Sequence, residues 1–288
     1  MASFWIILTG TLIAISCSLL GCYLILRKMA MVGDAISHAV LPGIVLAFLF
    51  SGSRETIPML IGAACLGVLT TVIIELFHRK AKLQSDAAIG ITFTWLFAIG
   101  IILISFFADN IDLDQDCVLY GEIAMVPLDI FYLASGVSLG PRPVWIGGVT
   151  LILIVTFIIW GYKGLFITSF NEEYAKAIGI SAAFWHYALM SSVSLTTVVA
   201  FESVGAILVV AFLIVPAATA YLIVDDLKKM LLLSTLFGTL SATSGYYLAY
   251  TMDGSIAGAM ATMTGVFFTI VFIIQKIRAQ KATQVPNF

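Results

Sequence analysis

Charge is scarce in this chain. Lys, Arg, Asp and Glu make up 10% of its 288 residues, against 61% hydrophobic residues. That balance excludes an ordinary soluble domain. The formal net charge is only −2, and no basic cluster offers nucleic acid a surface. Positive charge is also missing from the first 26 residues, Arg27 being the first charged group. A secretory leader carries its positive charge ahead of its apolar stretch, so the N-terminal segment reads as a retained membrane span. Cysteine is sparse. Cys17, Cys22 and Cys65 fall inside apolar runs and Cys117 stands in an acidic loop, with no CxxC and no zinc-finger spacing. They read as packing residues. Catalytic motifs are absent too: there is no G-x-x-x-x-G-K-[ST], no G-x-S-x-G and no H-E-x-x-H. The chain is therefore not expected to be an enzyme or to bind ATP through a P-loop. Energy for any transport must come from a partner or from an ion gradient.

What is present is a series of long apolar runs. A bilayer core needs about 20 apolar residues per helix. Nine candidate spans lie near 3–26, 35–51, 57–77, 87–108, 144–162, 184–202, 205–224, 230–250 and 254–275. The second is short and contains Pro42. The sixth and seventh run together over 41 residues, which requires a tight turn around Glu202–Gly205. Orientation follows from Lys and Arg. With the N-terminus outside, the inner segments hold 12 basic residues and the outer ones only Arg54 and Arg142. The expected fold is an all-α, polytopic membrane protein of about nine helices, with a cytoplasmic C-terminus. It forms one transmembrane domain over residues 1–288, with an external acidic loop at 109–143 and an internal loop at 163–183. No second domain, low-complexity tract or clear internal repeat is visible.

The stretch Met31-Val-Gly-Asp-Ala-Ile-Ser-His-Ala-Val-Leu-Pro-Gly43 sets an acid and an imidazole at the start of an apolar segment. Asp34 and His38 are four residues apart, so a helix presents both on one face. Ionisable groups at membrane depth mark a pathway or a buried partner, and an Asp with a His can bind a transition-metal cation. The competing explanation is a helix-start Asp near lipid headgroups and a His bonded to a neighbouring helix. In the internal loop, Ser169 or Asn171 can cap a short helix whose first turn carries Glu172 and Glu173. Ala175, Ala177 and Ile178 give it a small apolar face, and Gly179 suits its end. Such a helix is a natural docking element, or else lies passively at the interface.

Four segments carry a family resemblance. Gly33-Asp-Ala-Ile-Ser-His-Ala-Val-Leu-Pro-Gly43 resembles a signature of the permease subunits of bacterial metal-ion ABC importers, which move manganese, zinc or iron. Ser85-Asp-Ala-Ala-Ile-Gly-Ile91, Thr168–Gly179 and Ser203–Ala220 resemble further segments of the same family in the same order. The resemblance implies a multi-pass protein of the bacterial cytoplasmic (inner) membrane, embedded in lipid. Its expected partners are a cytoplasmic ATPase, an extracytoplasmic metal-binding lipoprotein and a second permease chain, identical or related. No permanently bound cofactor is expected, only the divalent ion in transit. Asp34 and His38 fall on the family's metal positions. Ser169, Asn171, Glu172, Glu173, Ala175 and Gly179 fall on the segment that contacts the ATPase. The family often has Asp where this chain has Asn171; Asn keeps the cap and removes one charged contact.

Two further residues are metal candidates on chemistry alone. Glu202 is the sole acid in the 41-residue apolar stretch, and His186 enters the sixth span from the inside. Each also has a structural explanation, a protonated acid at a helix junction and a packing His. The topology sets Glu202 toward the outside and Asp34 toward the inside, so one site needs a broken span. Asp109, Asp112, Asp114 and Asp116 form an external acidic cluster without the Gly and final Glu of an EF-hand. Charge anchoring accounts for Glu75, His78, Arg79, Lys80 and Lys82. The alternative function is a proton- or sodium-coupled secondary metal transporter, which would usually show an internal repeat. An intramembrane enzyme using Asp34 and His38 would lack a second catalytic cluster.

Overall fold

Apolar runs of this length close their backbone hydrogen bonds within themselves, which in lipid leaves the helix as the natural solution. The computed structural model describes residues 2–51, 56–107, 123–132 and 138–283. Four helices come first: α1 (Ala2–Leu26), α2 (Val32–Ser51), α3 (Thr56–Lys80) and α4 (Ser85–Phe107). A 3-10 turn at Ile123–Leu128 and a two-stranded antiparallel ribbon, β1 (Ile130–Tyr132) and β2 (Ser138–Pro141), follow. Then come α5 (Arg142–Phe170), α6 (Glu172–Ala177), α7 (Ala182–Val204), α8 (Ala206–Tyr221), α9 (Leu227–Met252) and α10 (Ile256–Thr283). The acidic cluster 109–116 and Cys117 lie outside the described residues.

Among the described residues, seven helices are long and apolar enough to cross a membrane: α1, α2, α3, α4, α5, α7 and α10. α8 is apolar but has only 16 residues, about 24 Å of helix against a core of about 30 Å. α9 is long enough but interrupts its leucines with Ser234, Thr235, Gly238, Thr239, Ser241, Thr243, Ser244 and Gly245. These two correspond to the seventh and eighth runs read from the sequence.

The fifth run ends later than its hydropathy suggests. α5 continues through Lys163 to Phe170, so residues 163–170 are helix and not loop. Two features permit this. Gly161 and Gly164 leave a groove filled by the Trp185 ring of α7. Asn171, at φ −150° and ψ 99°, is the first non-helical backbone after it. Ser169 therefore belongs to α5, and Asn171 caps α6 by accepting the Tyr174 amide at 2.9 Å. The turn between α7 and α8 is as tight as expected: Gly205 alone joins them, at φ 81°. α8 then packs mainly on α1, α9 and α10 rather than back along α7.

Helix α7 is the hub. Two-thirds of its span, 67%, is buried, against 17% for α10. It joins a group formed by α2, α3 and α4 to a second group in which α1 packs on α5, α8 and α9. Fully buried Leu189, Met190 and Val193 of α7 share one core with Leu20 and Leu24 of α1 and Phe212 of α8. The periphery keeps large apolar side chains outward, Phe50, Phe106 and Trp160 among them. That surface suits lipid or a partner helix, not water.

Candidate metal site and coupling segment

Asp34 lies in the first turn of α2, where a negative charge suits the helix dipole. One turn later His38 follows on the same face, with its Nε2 3.6 Å from Asp34 Oδ1. Both are half-buried. The His38 ring is walled by Phe93 and Phe97 of α4, with ring centroids 5.7 and 5.8 Å away. An ion bound to both groups at about 2.1 Å with a tetrahedral angle separates them by about 3.4 Å. The observed gap is close to that.

The level of this pair is set by packing. The start of α2 is buried beneath neighbouring helices rather than held at the rim. Between the pair, Ile36 is fully buried, and its Cγ2 lies 3.2 Å from where a Cβ on Gly67 would stand. That same Cβ would overlap the Ser194 hydroxyl, which donates to the Ala64 carbonyl at 3.2 Å. Gly67 and Ser194 are near the midpoints of α3 and α7. Ile36 is thus about 20 Å along α3 from its Lys80 end, although α2 begins only one turn before it. Asp34 and His38 flank the middle of the bundle, deeper than the inner rim expected from hydropathy.

Glu202 is not brought to them. It stands in the last turn of α7, eight residues or about 12 Å beyond Ser194. There it lines a cleft of about 210 Å³ with Asp129, Arg142 and Ser203. His186 lies toward the opposite end of α7, about 24 Å along the helix from Glu202. Its Nε2 is 3.7 Å from Glu75 Oε2, and its Nδ1 is 3.4 Å from an Arg27 nitrogen. A guanidinium this close disfavours a second cation. Among the described residues no group of three His, Cys, Asp or Glu side chains could hold a metal ion. Among the described residues, Asp34 and His38 therefore have no third such group beside them.

The groups around His186 line a cavity of about 690 Å³ that also takes in Met29, Glu75, His78 and Ser169. On one wall, Arg79 Nε pairs with Glu75 Oε1 at 2.7 Å and an Arg79 terminal nitrogen approaches Glu172 Oε1 to 3.8 Å. Glu172 also pairs with Lys176 at 3.0 Å, one turn along α6. The Lys176 hydrogen bond holds the Glu172 carboxyl below its ordinary range, helped by the Arg79 charge. Arg27, on the other wall, is pushed down to about 10 by burial, which still leaves it charged at neutral pH. α6 buries Ala175 against the bundle and exposes Glu173. Its end is closed by Gly179 at φ 79°, whose amide donates to the Lys176 carbonyl at 3.1 Å. Arg27, Glu75 and Arg79 appear in the sequence only as topology-setting charges. The i,i+4 spacing of Glu75 and Arg79 was the visible signal of their pairing; the partners of Arg27 carried none.

The ABC 3 transport family model matches residues 2–275. The manganese transport system membrane protein MntD of Bacillus subtilis is 51% identical over 269 residues, covering 93% of this chain and 90% of that one. The zinc transport system membrane protein TroD of Treponema pallidum is 39% identical, over 93% of this chain and 72% of that protein. Among solved structures, PsaBC from Streptococcus pneumoniae in complex with Fab superposes with a TM-score of 0.76 at 36% identity, over 93% of this chain and 90% of that one. With the apolar helices, the paired Asp34 and His38 and a match running through α1 to α10, this chain belongs to the ABC 3 transport family.

Proposed function

We propose that this chain is the membrane-spanning permease of an ATP-driven importer that carries a divalent transition-metal ion into the bacterial cytoplasm. The observation that carries the proposal is the Asp34–His38 pair, 3.6 Å apart and on either side of Ile36, which packs level with the midpoints of α3 and α7. Its mixed oxygen and nitrogen donors suit manganese or zinc, and relatives are named for both. Two ligands are too few for either ion. A second permease chain with its own Asp and His supplies the others across a shared axis. A small, half-open ligand set holds the ion transiently, since full coordination would oppose release.

In this reading the helix ends bearing Arg27, Arg79, Lys163, Lys176 and Lys228 face the cytoplasm. α8, together with α9, which turns Ser234, Gly238, Ser241 and Gly245 inward and leucines and tyrosines outward, brings the crossings to nine. The ATPase meets α6 through Glu173 and the exposed turn ending at Gly179, with Ser169, Asn171, Glu172 and Ala175 holding that helix in place. The binding protein delivers the ion at the opposite end, where Glu202 and Asp129 face the cleft mouth. The ion then passes the Asp34–His38 pair and leaves toward the cytoplasmic end of the bundle. Glu202 flanks the outer end of this route, and His186, engaged by Glu75 and Arg27, stays with the coupling end.

The test is manganese accumulation in metal-starved cells. Asp34→Ala and His38→Ala should each reduce uptake at least about tenfold with expression and ATPase association unchanged, since losing even an outer-shell partner of a metal ligand costs about 10–100-fold. Wild-type uptake in both variants would sink the assignment.

A further inference from the structure

Arg27 stands where two otherwise separate parts of the transport machinery meet. It follows α1 directly and precedes Asp34 by seven residues. Its Nη2 donates to Thr168 Oγ1 at 2.8 Å and its Nε donates to Ser169 Oγ at 3.1 Å. Both hydroxyls lie in the last turn of α5, two or three residues before the Asn171 cap of α6. One side chain thus bridges the link into the metal-bearing helix and the link into the coupling helix.

The link on the metal side is stiff. Met29 N donates to Leu24 O at 2.9 Å, Lys28 N donates to Ile25 O at 3.0 Å, and Val32 N donates to Met29 O at 3.2 Å. Lys28 takes a positive φ of 58° to close this turn. Displacement of Arg27 is passed to Val32 and the first turn of α2 instead of being absorbed by slack chain. On the coupling side, α6 has a second hold on the bundle through Glu172, Arg79 and Glu75. Glu75 is buried and faces His186, which in turn meets Arg27. The two holds close a ring around the 690 Å³ cavity. Within this ring only the Arg27 arm reaches the α1–α2 link.

The geometry points to Arg27 as the positioning residue that transmits movement of α6 to the start of α2, and so to Asp34 and His38. This rests on the reading that α6 meets the ATPase. Arg27 touches no cargo. It acts by keeping the α5–α6 junction and the α1–α2 turn in one moving unit. A guanidinium suits this because its fork engages two hydroxyls at once, whereas a lysine ammonium at the end of a flexible stem engages one point.

The decisive quantity is manganese imported per ATP hydrolysed, measured with the complete importer of permease, ATPase and binding protein in vesicles. Arg27→Ala should lower that ratio about tenfold while hydrolysis continues, within the usual range of coupling between distant sites. Arg27→Lys should fall between Arg27→Ala and wild type. Thr168→Val removes the shortest of the hydrogen bonds at nearly constant volume and should lower the ratio about threefold. The double variant should be no worse than Arg27→Ala, because both changes break one link. A merely structural role would reduce the amount of assembled importer and leave the ratio untouched. An unchanged ratio in Arg27→Ala overturns the inference. If Arg27→Ala fails to assemble, Thr168→Val decides, and an unchanged ratio there overturns it equally. Absence of ATP-dependent manganese uptake in the wild type would instead overturn the transport reading on which it rests.

Discussion

Glu172 sits at the first position of a six-residue helix and holds two cations, Lys176 at 3.0 Å and Arg79 at 3.8 Å. Its folded carboxyl ionises below the ordinary range, chiefly through the Lys176 hydrogen bond. A depressed carboxylate stabilises the fold at pH above its unfolded value and loses that contribution as the pH falls toward the folded one. Protection of the α6 amides from hydrogen exchange, corrected for intrinsic rates, should therefore hold at neutral pH and decline as acid protonates Glu172. The group is half-exposed, so its contribution is below about 1 kcal/mol. Glu172→Gln should remove the pH dependence. Equal protection of wild type and variant across the acid range would contradict this assignment. At the same scale, four-residue spacing revealed Asp34 with His38 in the sequence, because a helix turns those positions onto one face whatever surrounds it. Arg27 was not legible in this way. Its partners are 141, 142 and 159 residues away.

Helix packing adds what no single residue shows. At Gly21 of α1, a Cβ would overlap the carbonyl oxygen of Leu213 in α8. A backbone oxygen inside a helix has no rotamer to escape into, so α1 and α8 would have to separate. Gly21→Ala should lower the stability of the detergent-purified protein by about 1–3 kcal/mol, as overpacked cores do. Gly148 of α5 has nothing within 4 Å of its Cβ position. Gly148→Ala should leave the melting temperature unchanged or raise it slightly, since alanine is the better helix former. Equal melting temperatures for the two variants would refute the close approach. Hydropathy located these helices but mistook the end of α5 by eight residues, from 162 to Phe170. Lys163 looks like a membrane boundary, yet the helix persists because Trp185 fills the groove beside Gly161 and Gly164. Packing decided that end, where apolarity had already run out.

For the whole molecule the unequal distribution of charge predicts a direction in the membrane. Single cysteines introduced into a background lacking Cys17, Cys22, Cys65 and Cys117 provide the measurement. At exposed Lys176 the label should react only from the cytoplasmic side, and at exposed Met125 only from outside. The reverse pattern would invert the proposed orientation and with it the assignment of α6 to the ATPase. The incompleteness of the Asp34–His38 pair belongs to this scale as well. In the proposed importer a symmetric second chain would double the two candidate ligands without any new residue type.

Composition and periodicity alone determined that the chain is helical and membrane-embedded, that Asp34 and His38 share a face, and that a capped helix begins near Asn171. These follow from local chemistry: apolar length, the 3.6-residue turn and the capping of free amides. Only the tertiary structure decided the level of Asp34 and His38, because α2 starts beneath its neighbours and hydropathy assumes that a span begins at the rim. It likewise separated Glu202 from that pair and surrounded His186 with Arg27 and Glu75. Depth and long-range pairing depend on which helices lie side by side, and adjacency in space is written in no single stretch of the chain.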